Sequence, residues 1–339
     1  MDGTGETPRS GTGAGIEPGI EPGIEPGIGA GWRSEAAQAR LARGVGDPDL
    51  DRPDLGDPVR VDPDAVDRWR AAVHRAWGEG CVAGEADHQP ARIAGVDVLV
   101  AGPPDAPLTV VYAHGGGYVL GSPGVAVPIT ARLARHLRVV SVDYRLAPRH
   151  PFPAALDDVS AVFEALLADA TTPVALAGDS AGGALALGAA LRAPGGPCAV
   201  VLFCPHLDHG PVPDDHREPV PTRSDGRELV ALYRAGSDPT DGLLSPGRAA
   251  THRLAGLPPT LVQAGTDDAL HRQAVRLVRR ARVAGAPVTL DLWDGLWHAW
   301  QYHRDLPEAD RAIAEAVEFL LACVPGRTGP PPPAGARHR

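Results

Sequence analysis

From about residue 93 onward, short apolar runs rich in Val, Leu and Ala alternate with longer segments in which apolar residues recur every three or four positions. A short continuous run between turn residues predicts a buried strand, and the longer recurrence predicts a helix with one buried face. Strands are predicted over 93–101, 108–113, 139–142, from Val174 to a turn at Ser180, and over 199–203, 260–264 and 288–293. Helices are predicted over 128–137 and 154–167, directly after Ser180, around 228–234, and over 270–283 and 308–323. Such alternation implies an α/β domain with a mostly parallel central sheet and helices on both faces. In that architecture ligand sites form beyond the carboxyl ends of the strands.

The pattern is different before and after this block. Gly-Ile-Glu-Pro is repeated three times between Gly15 and Gly27. A proline at every fourth position forbids a helix, and one Ile per repeat cannot build a core, so residues 1–31 are expected to be disordered. Composition turns helical over 32–43, and 47–58 is a Pro/Asp-rich linker. Asp62 then caps a helix with Pro63 in its first turn, and Val66, Trp69, Val73 and Trp77 share one face. Residues 326–339, with four consecutive prolines, are expected to form a disordered tail. Between the strands at 199–203 and 260–264 lie more than fifty residues with a single short helix. So long an excursion is usually functional, which suggests a lid. The expected organisation is one domain over 32–325 with cap segments at about 32–90 and 206–245.

A chain of 339 residues with 43% hydrophobic and 22% charged residues is long enough for one large soluble α/β domain. The net charge of −10 argues against nucleic acid or an anionic membrane as partner. No apolar run reaches the ~20 residues of a membrane span. The first thirty residues lack the charged and apolar regions of a secretory signal. The cysteines at 81, 198, 204 and 323 have no metal-ligand spacing. They read as buried hydrophobes in a reducing, cytoplasmic setting. Neither cofactor nor metal is implied, and a homodimer is compatible with everything so far.

Two glycine-rich turns carry the candidate chemistry. Gly178-Asp179-Ser180-Ala181-Gly182 fits G-x-S-x-G between a strand and a helix. A serine at such a turn adopts a strained backbone, and the positions two before and two after it have no room for a Cβ. The helix that follows points its free N–H groups toward the serine and favours negative charge beside it. The second turn is His114-Gly115-Gly116-Gly117-Tyr118, directly after the strand at 108–113. Three glycines leave backbone N–H groups open to approach by an oxyanion. A phosphate cradle is excluded, because the chain has no lysine and no G-x-x-x-x-G-K-[ST].

These two turns, with Asp143-Tyr144-Arg145-Leu146-Ala147-Pro148 and Pro153-Ala154-Ala155-Leu156-Asp157-Asp158, occur in an order that resembles the hormone-sensitive-lipase-like (bacterial family IV) branch of the α/β-hydrolase superfamily. The resemblance covers about 93–321. It implies a serine esterase with Ser180 as nucleophile, an oxyanion hole from the N–H groups of Gly116, Gly117 and Ala181, and a loop supported by His114 and Gly115. The Tyr-Arg-Leu-Ala-Pro block and the Asp157-Asp158 pair read as scaffold, since they precede the serine.

A serine needs a base, and the base needs an acid to orient it. Histidines after Ser180 stand at 206, 209, 216, 252, 271, 298, 303 and 338. His298 lies immediately after the last predicted strand and before the last helix, in the loop where the fold carries its catalytic histidine. The acid belongs at the end of the preceding strand, where Asp267 and Asp268 both qualify. The family's Asp-x-Leu register selects Asp268, with Asp267 in reserve. Tyr118, Asp179, Trp297 and Trp300 are candidates for the substrate pocket. His206, Asp208, His209, Asp214, Asp215 and His216 form a cluster that invites a metal reading, but its spacing matches no zinc pattern. The expected activity is hydrolysis of small to medium acyl esters. The alternatives are acyl transfer or elimination on a specialised metabolite at the same site, and a non-catalytic small-molecule receptor.

Overall fold

The computed structural model describes residues 34–43, 52–58, 60–78, 87–169, 172–193, 195–210, 226–326 and 336–338. The Gly-Ile-Glu-Pro repeat, most of the tail, Cys81 and the histidine and acids at 214–216 lie outside the described residues.

Two helices, α1 (Glu35–Arg43) and α2 (Pro63–Gly78), precede the hairpin β1 (Gln89–Ile93) and β2 (Val96–Ala101). Next come β3 (Thr109–Ala113), α3 (Val127–Leu133), β4 (Arg138–Val142), α4 (Ala154–Asp169), β5 (Val174–Asp179) and α5 (Ala181–Arg192). The chain continues through β6 (Val200–Phe203), α6 (Gly226–Arg234), α7 (Thr251–Leu254), β7 (Thr260–Gly265), α8 (His271–Val283), β8 (Val288–Trp293), α9 (Pro307–Ala322) and β9 (Ala336–His338). The sheet order is β1-β2-β4-β3-β5-β6-β7-β8-β9. The β1–β2 and β2–β4 pairs are antiparallel, and every other pair is parallel. The mostly parallel sheet expected from the alternation of elements is therefore present.

The central strands are buried on both faces, which is why they appear in the sequence as continuous apolar runs rather than alternating ones. Successive side chains still go to opposite faces. Val111, Leu176, Val200 and Leu202 join a cluster with α2, α4, α5 and α8, whereas Val110, Tyr112, Val201 and Phe203 join one with α3 and α9. The helices thus cover both faces.

Two expectations change. The strand predicted over 93–101 is the second half of a hairpin, turned by Ala94 and Gly95 at positive φ (50° and 80°). The hairpin's first strand starts at Gln89, inside the segment assigned to the cap. The tail is not structureless throughout, because Ala336–His338 adds a parallel strand beside β8, pairing Leu290 with Ala336.

Helix α2 forms as its stripe predicts. The Asp62 carboxylate accepts the N–H of Asp64 at 3.0 Å, and Val66, Trp69 and Val73 are buried. Arg70 on this helix donates to the carbonyls of Val119 (2.6 Å) and Ala147 (2.9 Å), and Arg52 pairs with Glu228 of α6. The two segments expected to form the cap therefore touch each other and the loop that follows β3.

Candidate active site

Strand register brings the site together. β3 and β5 are neighbours with Ala113 opposite Gly178, so the loops at 114–118 and 180–182 emerge side by side. β7 and β8 are neighbours with Gly265 opposite Trp293, so the loops after them also adjoin. All four loops leave the carboxyl ends of parallel strands.

Ser180 joins β5 to α5 with φ 51° and ψ −118°, a conformation rarely adopted by a residue with a side chain. Its N–H donates to the Phe203 carbonyl (2.9 Å), and its own carbonyl accepts the N–H of His206 (2.9 Å). The turn is so tight that a Cβ at Gly178 would lie 2.7 Å from the Ala113 oxygen, and one at Gly182 would overlap the carbonyls of Ala113 and His114. Glycine is required at both places.

Ser180 Oγ lies 2.9 Å from His298 Nε2, and His298 Nδ1 lies 3.0 Å from Asp268 Oδ2. Asp268 is 1% exposed, and its other oxygen accepts the N–H of Leu270 at 2.8 Å. The structure thus brings Asp268, not Asp267, to the imidazole. Asp267 donates its backbone N–H to Leu296 at 3.0 Å, which ties the acid loop to the histidine loop. Among the other histidines, His271 bonds the Asp268 carbonyl (2.7 Å) and His303 accepts the Trp297 indole N–H (3.2 Å). Neither meets the serine.

Among the described residues, the N–H groups of Gly116, Gly117 and Ala181 donate to no carbonyl. The loop bearing the first two is held from beneath. Asp179 Oδ1 accepts the Tyr112 hydroxyl (2.7 Å) and the Gly115 N–H (3.0 Å), and Oδ2 accepts the Tyr302 hydroxyl (3.1 Å). Burial raises the Asp179 pKa to about 6, although the Tyr112 and Tyr302 hydroxyls, nearby His298 and the Gly115 N–H all pull it back. His114 is fully buried, stacks on Tyr144 at 4.1 Å and donates from Nδ1 to the Gly115 carbonyl at 2.7 Å. Burial lowers its pKa to about 3, so the ring is a neutral brace. The Tyr144 hydroxyl donates to the His114 carbonyl at 2.6 Å. Within the scaffold block, Arg145 grips both oxygens of Asp158 at 2.8–3.1 Å.

The four pocket candidates are all buried, each being 3% exposed or less. Asp179 is the loop's anchor. Tyr118, at φ 66°, stacks on Tyr233 of α6 at 3.8 Å and meets His209 Nε2 through its hydroxyl at 2.7 Å. Trp297 and Trp300 turn inward into a cluster with Trp293, Leu296, Leu306 and Ala309. The cause is local. Ala299 is left-handed (φ 55°), so the loop sends His298 toward the serine and its flanking indoles into the interior.

Of the suspected metal cluster, Asp208 and His209 are engaged otherwise, and Asp214, Asp215 and His216 lie outside the described residues. Asp208 pairs with Arg248 (2.6 Å), and His209 is bonded to Tyr118 and to Ser245 (3.3 Å from Nδ1). Among the described residues the one trio of metal-ligating side chains is Cys204, Asp268 and His298, within 4.8 Å of one another. Its carboxylate and imidazole are already bonded to each other. The anchoring tyrosines 112 and 302 are not among the candidates legible in the sequence. Tyr112 sits mid-strand and Tyr302 lies 123 positions from Asp179 in sequence, so no local pattern joins them.

The family model described as alpha/beta hydrolase fold matches residues 110–302, the stretch that contains all these loops. The chain belongs to the α/β-hydrolase-fold family. Within it, the chain is a hormone-sensitive-lipase-like esterase. It is 34% identical, with a TM-score of 0.69, to a solved esterase of the bacterial hormone-sensitive lipase family, covering 78% of this chain and 93% of that one. An acetyl-hydrolase of Streptomyces hygroscopicus is 40% identical over 226 residues, 62% of this chain and 75% of the relative. An esterase of Acinetobacter venetianus is 32% identical over 252 residues, 69% of this chain and 82% of the relative. No helix among the described residues of this α/β hydrolase is long and apolar enough to cross a membrane.

Proposed function

We propose that this α/β hydrolase cleaves small to medium acyl esters through Ser180, His298 and Asp268 by way of an acyl-enzyme. The reading is supported above all by the continuous chain from Ser180 Oγ to His298 Nε2 (2.9 Å) and from His298 Nδ1 to Asp268 Oδ2 (3.0 Å). A serine hydroxyl is a weak nucleophile until a neighbouring base removes its proton. As Oγ bonds to the ester carbon, its proton passes to Nε2, and the carbonyl electron pair moves onto oxygen. Buried Asp268 keeps the Nδ1 proton in place and stabilises the imidazolium.

The oxyanion forms against the N–H groups of Gly116, Gly117 and Ala181. The last of these is the first residue of α5, whose positive end favours the developing charge. Collapse of the intermediate breaks the bond to the alcohol oxygen, which takes the proton from Nε2. Water then repeats the sequence on the acyl-enzyme, giving the acid and free Ser180. Each oxyanion donor contributes about 3 kcal/mol, or roughly a hundredfold in rate. The segments carrying α2 and α6 act as the cap that shapes access.

Hydrolysis of p-nitrophenyl acetate and butyrate tests the assignment. Ser180→Ala abolishes turnover and keeps the wild-type circular dichroism spectrum. A folded Ser180→Ala protein of comparable activity would overturn the reading.

A further inference from the structure

The chain leaving β6 is fastened to the serine from both sides. Ser180 donates its N–H to Phe203 and accepts the N–H of His206, each at 2.9 Å. Residues 204, 205 and 207 are buried, whereas His206 is half-buried, as are Ser180 and His298. The His206 ring lies within electrostatic reach of both His298 and Asp268. The ring is thus a neighbour of the reacting groups that keeps some exposed surface.

The rest of this wall is polar but committed. The ring of His209, 4.7 Å from that of His206, has Nε2 on the Tyr118 hydroxyl (2.7 Å) and Nδ1 on Ser245 Oγ (3.3 Å). The Ser245 hydroxyl in turn donates to the Pro239 carbonyl at 2.7 Å. Both ring nitrogens of His209 are engaged, whereas His206 keeps one for a substrate. Burial first, and then the proximity of His298, lower the His206 pKa to about 4, so the ring is neutral at physiological pH. The Asp208 carbonyl favours a proton on the ring nitrogen it faces. The other nitrogen then carries a lone pair, and a neutral imidazole in that tautomer accepts a hydrogen bond there.

We propose that His206 is a specificity-determining residue that accepts a hydrogen bond from a donor carried by the ester near its reacting carbonyl, so that hydroxyl-bearing short esters are preferred over their alkyl isosteres. The inference rests on the ester-hydrolase reading above and adds a substrate class to it. A site built to hydrogen-bond a substrate group discriminates strongly against an analogue lacking that group, because the acceptor is left desolvated and unpaired. An apolar side chain at this place would show no such preference.

Two substrate pairs test it, one for each side of the ester bond, with kcat/KM followed by acid release at constant pH. Ethyl 3-hydroxybutanoate is compared with ethyl 3-methylbutanoate, and 2-hydroxyethyl butanoate with propyl butanoate. In the wild type, the hydroxyl ester of at least one pair is favoured by about tenfold or more. The responsive pair tells whether the donor sits on the acyl or the alcohol side. His206→Phe brings that ratio to within about twofold of unity, and His206→Gln, which retains an acceptor, keeps part of it. A purely structural role for His206 would slow both members of a pair alike and leave the ratio unmoved. Equal ratios in wild type and His206→Phe for both pairs overturn the proposal. Loss of turnover in Ser180→Ala, measured on propyl butanoate, keeps that outcome distinct from a failure of the catalytic reading.

Discussion

The Tyr112 hydroxyl, on β3, donates across 2.7 Å to Oδ1 of Asp179, the residue that precedes the serine. With the Gly115 N–H and the Tyr302 hydroxyl on the same carboxylate, Asp179 joins the glycine loop, the serine turn and the segment after His298. All three partners donate, so the ionised form is the one that holds them.

Activity and stability should therefore respond to acid in opposite directions at this residue. The folded-state pKa of about 6 lies above the ordinary value of 3.8, so the native protein binds the Asp179 proton more tightly than the unfolded chain does. The Asp179 contribution to stability rises as pH falls from above 6 toward 3.8 and declines again as pH rises through that window. Catalysis loses the loop's anchor over the same window. Asp179→Asn, compared with wild type by urea midpoints and kcat at pH 5 and 8, lacks this component of the pH dependence of stability. Its kcat falls by about 10- to 100-fold at pH 8, the scale set by small misplacements of a catalytic constellation. Unchanged kcat in a folded Asp179→Asn protein would remove Asp179 from the support of the glycine loop.

The two neighbouring carboxylates at the end of β7 separate cleanly by substitution. Asp268→Asn leaves the imidazole without its acceptor at 3.0 Å and should lower kcat by about four orders of magnitude. Asp267→Asn leaves the Asp268–His298 bond in place and stays within a few-fold of wild type. Single-turnover and steady-state assays on one ester check both. The reverse ranking would transfer the acid role to Asp267.

Why the sequence left that choice open is physical. Asp267 and Asp268 share a loop, a composition and a distance from the strand. What separates them is the β7–β8 register, which places Gly265 against Trp293 and so orients the following turn. The central strands were legible because burial on both faces forces continuous apolar runs. Strand β1 was not, since four of its five residues are exposed and the pairing is carried by backbone hydrogen bonds. Strand β9 lies in a tail whose composition carries no strand signal. The Trp297 and Trp300 indoles flank His298 in sequence, yet the left-handed Ala299 decides their direction, and a single dihedral leaves no trace in hydropathy. The serine and glycine turns were legible because backbone crowding admits few residues there.

That crowding also predicts how two glycines differ. A Cβ at Gly182 would overlap backbone carbonyls of Ala113 and His114, which cannot move without parting β3 from the serine turn. Gly182→Ala should destabilise by about 3 kcal/mol or prevent soluble expression. At Gly117 (φ 62°) the Cβ would meet Leu229 Cδ1 at 2.6 Å and Leu229 Cβ at 3.0 Å, one side chain on α6 rather than backbone carbonyls. Gly117→Ala should therefore fold, at a cost of about 1–2 kcal/mol for the left-handed conformation, while losing most of its activity through a displaced N–H. Thermal melting and kcat distinguish the two. An active Gly117→Ala protein would argue against that N–H as an oxyanion donor.

The stacked rings of Tyr118 and Tyr233, 3.8 Å apart and 5° from parallel, tie α6 to the residue that follows Gly117. Tyr233 also meets the edge of Phe152 at 5.9 Å, and its carbonyl accepts the Phe152 N–H at 2.8 Å. Removing the ring therefore does two separable things. It opens a cavity among buried side chains, which costs about 3–5 kcal/mol, and it releases Tyr118, which sits at φ 66° against the Tyr233 ring. Tyr233→Ala should lower the melting temperature and also reduce kcat per folded molecule by about tenfold, as the neighbouring glycine N–H loses its fixed position. Tyr233→Phe keeps the stack and should retain both properties. If Tyr233→Ala melts earlier but turns over ester at the wild-type rate at low temperature, α6 serves stability alone and the oxyanion loop is held by Asp179 and His114.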